Sequence, residues 1–391
     1  MSEHEDYRRA EIVVDLGAIR RNVEKLCDAV AAGSDGPAVM VVVKADGYGH
    51  GLFGSARAAR AGGATWLGVA DRDEALDLRE EGDTGRMLAW LGMPGEDYGP
   101  LIEADVDVAA YSTQQLEEIV EGATATGKVA RVHLKVDTGL SRGGAPLSTW
   151  KGLVDAAAKA EKAGHVKVAG IWSHFACSDE PEHASNDLQE EAFEAALEVA
   201  DKAGLEPEVR HLANSAAALL RPSSWYDLVR FGIAAYGLSP APHVTNIDHL
   251  ELEPAMTVHA KAALTKDLAI GDAVSYGHTF TAERPMRVAL VPLGYGDGIP
   301  RHASSLGPVQ IRGHRGRILG RVCMDQFVAE APRGTVAGDE VVLFGPGTNG
   351  EPTAQEWAEA CGTISYEIVT RMGGSANRVA KRWTDDDGSL V

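Results

Sequence analysis

Eight short β-rich runs alternate with helical stretches over the first 240 residues, and then the alternation stops. The runs begin near Val39, Thr65, Met87, Val106, Val129, Val166, Val209 and Leu228. Between them the apolar spacing is helical. Asp15 is placed to cap a helix carrying Ile19, Val23, Leu26, Cys27 and Val30 on one face, and Ser112-x-x-Gln115 reads as a capping box ahead of Leu116 and Ile119. Further helices are expected over 73–81, 147–164 and 187–203. Such strand–helix repetition predicts a parallel (β/α)8 barrel of the TIM type. A doubly wound sheet is the alternative, but no GxGxxG follows a first strand. After Pro240-Ala-Pro242 the helical period fades. Short strands are expected over 256–264, 287–293, 309–312, 318–322 and 340–344, with turns at Gly313-His-Arg-Gly316 and Gly345-Pro-Gly347 and one helix over 353–361. The predicted fold class is therefore α/β plus β: a barrel domain over 11–242 and a mainly-β domain over 243–391. The chain's 391 residues leave room for both cores.

Charge and composition narrow the partners. The net charge of −20 is spread along the chain, which argues against nucleic acid or an anionic membrane as a partner. Any anionic ligand must then be held locally by dipoles and a few basic groups. No apolar run approaches the roughly 20 residues of a membrane helix. The N-terminal stretch over 1–10 is charged rather than basic-then-apolar, so a cytoplasmic location is expected. The four cysteines lie far apart with no CxxC pair, as reduced thiols would. A short acidic tail stands at 385–387.

Polar residues collect where a barrel has its active face, at the strand C-termini. Val41-Val-Val-Lys44 runs straight into Ala-Asp-Gly47-Tyr48-Gly49-His-Gly51. A lysine delivered there could be dehydrated on its apolar side, which lowers its pKa and favours the neutral amine that a Schiff base requires, or could simply snorkel to solvent. Lys135 and Arg142 fall around the fifth strand, His174 after the sixth, Asn214 and Ser215 after the seventh, and Arg230 on the eighth. His211-Leu-Ala-Asn-Ser215 and Phe231-Gly-Ile233 could supply the amides and hydroxyl of a phosphate seat, or could be an ordinary cap and turn. Arg230 could equally form an ion pair with Asp227 at the rim. Lys135 could pair with an aspartate.

The string Val43 to Gly51 resembles, without a gap, the pyridoxal-phosphate attachment motif of alanine racemases. Further segments resemble that family in order: Lys135-Val-Asp-Thr-Gly-Leu-Ser-Arg142, His211 to Ser215, Val229-Arg-Phe-Gly232, Val274-Ser-Tyr276-Gly-His, Cys323-Met-Asp-Gln326 and Thr363-Ile-Ser-Tyr366-Glu. The resemblance as a whole spans about residues 11–378. The resemblance implies pyridoxal 5'-phosphate bound as a Schiff base on Lys44, its phosphate met by Tyr48, Ser215, Gly232 and Ile233, with Asn214 and Tyr366 close by. It places Arg230 against the cofactor's ring nitrogen, which a guanidinium cannot protonate. It implies two bases for racemisation, Lys44 and Tyr276. A phenol is a weak base at neutral pH unless positive charge lies beside it, so His174 and arginines are implied as a relay. Lys135 is implied as a possible carbamate orienting Arg142 towards the substrate carboxylate, with Met324 and Asp325 contributing further contacts. The family pattern Gly-Arg-Leu-Gly is here Ser141-Arg142-Gly143-Gly144, which keeps the arginine. Tyr276, Met324 and Asp325 are implied to serve the site of a neighbouring subunit, which makes a homodimer part of catalysis. The implied activity interconverts L- and D-alanine, supplying D-alanine for peptidoglycan, with no metal.

Other readings are weighed against this. A barrel lysine with His174 and His211 is shared with binuclear metallohydrolases, but those need an HxH on the first strand and an aspartate at the eighth, where this chain has Lys44 and Arg230. A bare-barrel cofactor carrier would not need the β domain. A decarboxylase would not need a second base. Cys323 as a nucleophile lacks a Cys/His pairing in the sequence.

Overall fold

The computed structural model describes residues 8–31, 36–374, 378–386 and 388–390. Eight parallel strands lie in the order Leu228–Phe231, Ala38–Val42, Trp66–Val69, Arg86–Ala89, Asp107–Ala110, Ala130–Asp137, Val166–Trp172 and Val209–His211. The sheet turns back on itself: Asp227 N donates to Arg210 O and Arg230 N to Ala213 O, both at 3.1 Å, between the last strand and the first of that order. The strands are mostly apolar and almost wholly buried, as a sheet covered on both faces requires. Helices over Leu16–Val30, Arg72–Glu80, Leu147–Lys162 and Ser185–Lys202 cover the outside.

The expected caps form, with one difference. Asp15 accepts from Ala18 N at 2.9 Å and Ser112 accepts from Gln115 N at 3.2 Å. Gln115 does not return the bond to Ser112. Its oxygen accepts from Tyr111 N at 2.8 Å and its amide donates to Tyr98 Oη at 2.8 Å, so burial draws the side chain past its own cap.

The second sheet has nine strands and is mostly antiparallel. Several expected strands differ in detail. The run over 256–264 is divided, Met256–Lys261 pairing with Glu340–Phe344 while Leu264–Leu268 pairs with Met286–Val291. The strand expected over 318–322 is His314–Leu319, because Arg312 and Gly313 both take positive φ and make a two-residue hairpin turn. Phe327–Ala331 and Ala380–Thr384 are strands and Ser365–Thr370 is a helix, none of them anticipated. The first strand of the chain, Ala10–Asp15, belongs to this sheet and not to the barrel. It pairs antiparallel with Met256–Ala260 and parallel with Ala380–Thr384. Its alternate residues Ala10, Ile12 and Val14 are buried, the signature of a sheet with one covered face. Asp385 and Asp386 of the acidic tail are described, and Asp386 pairs with Arg20 and Arg21 on the first helix. Asp387 and most of the charged N-terminal stretch lie outside the described residues.

Candidate active site

Strand Ala38–Val42 ends against a turn of the opposite hand. Ala45, Asp46, Gly47, Tyr48 and Gly49 all take positive φ between 53° and 83°, so Lys44 opens a single left-handed helical turn. Each non-glycine residue there costs about 1–2 kcal/mol. Tertiary contacts offset that cost. Asp46 accepts from Leu52 N at 2.8 Å and pairs with Lys381, while Trp383 Nε1 donates to His50 O at 2.8 Å. A side chain at Gly49 would collide with the Val369 carbonyl, and one at Gly51 with the Trp383 indole.

Lys44 thereby enters a cavity of about 650 Å³ at the barrel's C-terminal face. The same cavity is lined by Tyr48, Lys135, Arg142, His174, Asn214, Ser215, Arg230, Gly232, Ile233 and Tyr366, all singled out from the sequence. Trp90 and Trp172 complete its wall. Burial, with the charge of Arg142 next, lowers the Lys44 pKa from its ordinary value. The same causes act harder on Lys135: burial, then Arg230 and Arg142, bring its amine down to about 7. Lys135 has aromatic faces rather than a carboxylate for company, with Trp172 at 4.3 Å and Tyr111 at 5.1 Å from its nitrogen. Asp137, its nearest candidate partner in sequence, is turned to loop amides and accepts from Gly139 N and Ser141 N.

The anion seat is built from the seventh and eighth strand ends. Asn214 caps the short helix Ser215–Leu220, accepting from Ala217 N at 3.1 Å, and Ser178 donates to the same oxygen at 2.8 Å. Ser215 Oγ accepts from Gly232 N at 2.8 Å, so its own proton stays available to a ligand. Gly232 must lack a side chain, since a Cβ would collide with Tyr48 Oη. Tyr48 stacks on Tyr236 at 5.0 Å and meets Tyr366 at 6.2 Å. Burial raises the pKa of all three phenols, so they act as neutral donors.

Arg230 does not pair with Asp227, the rim ion pair that sequence allowed. Asp227 is taken by Arg210, at 2.6 and 3.0 Å. Arg230 is buried and points inward, donating to Ser173 O and Leu212 O at 2.9 Å, His211 Nδ1 at 3.1 Å and His174 Nδ1 at 3.2 Å. Both histidines a metal centre would have used are therefore occupied as acceptors. Burial, then the charge of Arg230, pushes their pKa values well below the ordinary imidazole value. Among the described residues no group of three His, Cys, Asp or Glu is gathered as a metal centre would need.

Tyr276, Met324 and Asp325 stand outside this cavity. Tyr276 is 72% and Met324 53% exposed, and Asp325 pairs with Arg378 at 2.5 Å. They share a patch of the β domain, where Ser275 Oγ donates to Arg321 O at 2.7 Å and lies 3.5 Å from Cys323 Sγ. Trp90, Tyr111, Trp172, His133 and Asp107 were missed as parts of the site. His133 stands two residues before Lys135 on one strand and so faces the same way, which is the signal that could have found it.

A parallel barrel carrying a half-buried lysine just after its first strand, an anion seat at the ends of its last two and an appended β domain defines a lysine-centred barrel enzyme. The chain matches the family models for the alanine racemase N-terminal domain over residues 14–240 and C-terminal domain over residues 255–380. It is 53% identical to an alanine racemase of Salinispora arenicola, with 94% of this chain and 96% of that one covered. An alanine racemase of Thermobifida fusca is 51% identical, with 95% and 97% covered. Among solved structures, the alanine racemase of the D-cycloserine producer Streptomyces lavendulae superposes with a TM-score of 0.93 at 47% identity, covering 97% of this chain and 98% of that one. That of Bacillus anthracis, solved with bound L-Ala-P, gives 0.88 at 34%, covering 98% and 97%. The chain belongs to the alanine racemase family.

Proposed function

We propose that this chain interconverts L- and D-alanine, using pyridoxal 5'-phosphate on Lys44, in a homodimer whose two sites each borrow Tyr276 from the partner subunit. One observation carries the reading: a lysine with a lowered pKa shares a cavity with three further cations and a hydroxyl–amide seat. The donor set fits a phosphate-bearing aldehyde. Gly232 keeps the seat open beneath Tyr48, Ser215 retains a proton to donate, and burial with the charge of Arg142 shifts Lys44 towards the form that attacks a carbonyl. Tyr48, Ser215, Gly232 and Ile233 would hold the phosphate, with Asn214 stiffening the seat, Arg230 meeting the ring nitrogen and Tyr366 closing the phosphate side. Bound there, the cofactor supplies an electrophilic carbon for the amine and a ring that spreads the negative charge left at Cα.

The chain's own groups do the rest. Arg142 holds the substrate carboxylate and Met324 and Asp325 of the partner add to that contact, while Lys135, whether free or carbamylated, sets the charge around Arg142. Lys44 removes or returns the Cα proton on one face, and Tyr276, relayed through His174 and Arg230, serves the other. Arg230 keeps its proton, so the ring nitrogen receives none and side reactions that need a stronger electron sink are suppressed. No described helix is long and apolar enough to cross a membrane, in keeping with action on a small soluble amino acid. D-Alanine formed this way would serve cell-wall synthesis in the cytoplasm.

Mixing two inactive variants tests both the chemistry and the sharing. Lys44→Ala and Tyr276→Phe subunits, each inert alone, assort at random into dimers of which half are mixed. Each mixed dimer has one intact site, so activity should return to about a quarter of wild type. No recovery on mixing, with exchange of subunits verified, would sink the shared site.

A further inference from the structure

Behind Arg230 a hydrogen-bonded chain crosses the barrel interior. His211 Nε2 lies 2.9 Å from His133 Nδ1, and His133 Nε2 lies 3.1 Å from Asp107 Oδ2. Asp107 Oδ1 in turn receives Arg131 Nε at 2.9 Å, and Arg131 is held by both oxygens of Glu208 at 2.8 and 2.7 Å. Asp107, His133 and His211 are completely buried. The path starts at the strand N-termini and ends at the cavity.

Donor counting leaves one arrangement. Arginine has only donors, so His211 Nδ1 must accept and its proton sits on Nε2. That proton can go only to His133 Nδ1, which forces the His133 proton onto Nε2, facing the Asp107 carboxylate. An imidazolium at His133 would leave His211 with two acceptor nitrogens and no proton, so both rings are neutral. Asp107 remains ionised. Burial alone would raise its pKa, but the hydrogen bonds from His133 and Arg131 and the charge of Arg131 hold it below the usual value. The surroundings are shaped for these rings. A Cβ at Gly170, opposite His133 in the sheet, would collide with the imidazole, and Trp172 stacks on His211 at 5.4 Å.

We propose that Asp107 is a positioning residue for the reaction, locking His133 and His211 as Nε2–H tautomers so that His211 Nδ1 is a permanent acceptor fixing Arg230 at the ring nitrogen. This rests on the reading of Arg230 given above, while the tautomer lock itself does not. Asp107→Asn is the sharp variant. Two cations face Oδ1, Arg131 at 2.9 Å and Arg86 at 3.7 Å, so the amide turns its oxygen to them and its NH2 to His133. His133 must then accept at Nε2 and donate from Nδ1. His211 inverts in turn, and its new Nδ1–H meets the Arg230 N–H donor to donor.

Neutron diffraction from the cofactor-loaded full-length protein reads the ring deuterons directly. Wild type should carry them on Nε2 of both rings and Asp107→Asn on Nδ1. In solution, kcat should fall about 10- to 100-fold, with a shifted cofactor absorbance and an alanine KM near wild type. Gly170→Ala, severing the chain at His133, should reproduce the kinetic loss. Glu208→Gln, which loosens Arg131 from outside but leaves it on Asp107, should leave tautomers and kcat as they were. A wild-type deuteron on Nδ1 of either ring overturns the proposal, whatever the variants do. Loss of kcat with unchanged tautomers overturns the lock, and inverted tautomers with wild-type kcat and absorbance overturn the positioning role. Wild-type kcat and absorbance in Arg230→Ala would instead overturn the reading of Arg230 itself.

Discussion

The two halves of the proposed site are finished to different degrees within one chain. At the barrel rim Lys135 and Arg230 stand on strands and are insulated by aromatic or imidazole neighbours, Lys135 against Trp172 and Arg230 against His211. On the β domain, Tyr276 and Met324 project from turns into solvent, and Ser275 and His278 beside Tyr276 are held at positive φ. The contrast shows where each half gets its precision. The barrel half is preorganised by its own core, whereas the β-domain half is shaped ahead of time and gains a low-dielectric setting only when another surface covers it.

The largest effects should separate the halves by what survives. Lys44→Ala should cost about 10⁴-fold or more in racemisation and also abolish covalent attachment of the cofactor, read by borohydride trapping. Tyr276→Phe should lose about 10²- to 10⁴-fold while trapping stays normal. Equal loss of trapping in both would erase the distinction between the halves.

Next comes the anchor at the rim. Arg142→Ala removes a charge-assisted contact to the substrate carboxylate of about 1.5–3 kcal/mol, so KM for alanine should rise roughly 10- to 150-fold. An unchanged KM would move that role elsewhere. Gly232→Ala tests the seat alone. Overpacking against Tyr48 should weaken pyridoxal-phosphate binding by about 1–3 kcal/mol in an equilibrium titration and leave free alanine-independent folding intact.

The smallest effect is on stability. The Lys135 amine falls from 10.5 to about 7 on folding, so between those values the unfolded chain holds a proton that the folded one does not. Stability from this group therefore rises with pH across that window. Lys135→Met, which has no such proton, should be more stable than wild type near pH 7, with the difference in denaturant midpoint shrinking towards pH 10. A constant difference would mean that Lys135 is not desolvated in the folded chain.

The eight barrel strands were legible because fully buried parallel strands read as continuous apolar runs, such as Val39 to Val43. Ala10–Asp15 was not, because its buried residues alternate and it runs without a turn into the helix that Asp15 caps. Sequence found the rim residues through their position after strands. It missed Asp107 and His133, which stand at a strand's beginning and middle, where a polar side chain reads as an anomaly until its partners from other strands are known. The inward turn of Arg230 was equally hidden, since nothing in Asp227-Leu-Val-Arg230 says that Arg210 takes the aspartate.

The left-handed turn after Lys44 imposes an order of assembly. Its clamps, Lys381 on Asp46 and Trp383 on His50, lie 335 and 333 residues further along the chain. During synthesis the barrel strands leave the ribosome long before the strand Ala380–Thr384 does, and a domain collapses as its own residues emerge. The turn is therefore clamped only once Ala380–Thr384 has emerged and pairs beside Ala10–Asp15. The strand Ala380–Thr384 thus acts as a remote latch on the turn that follows the reactive lysine.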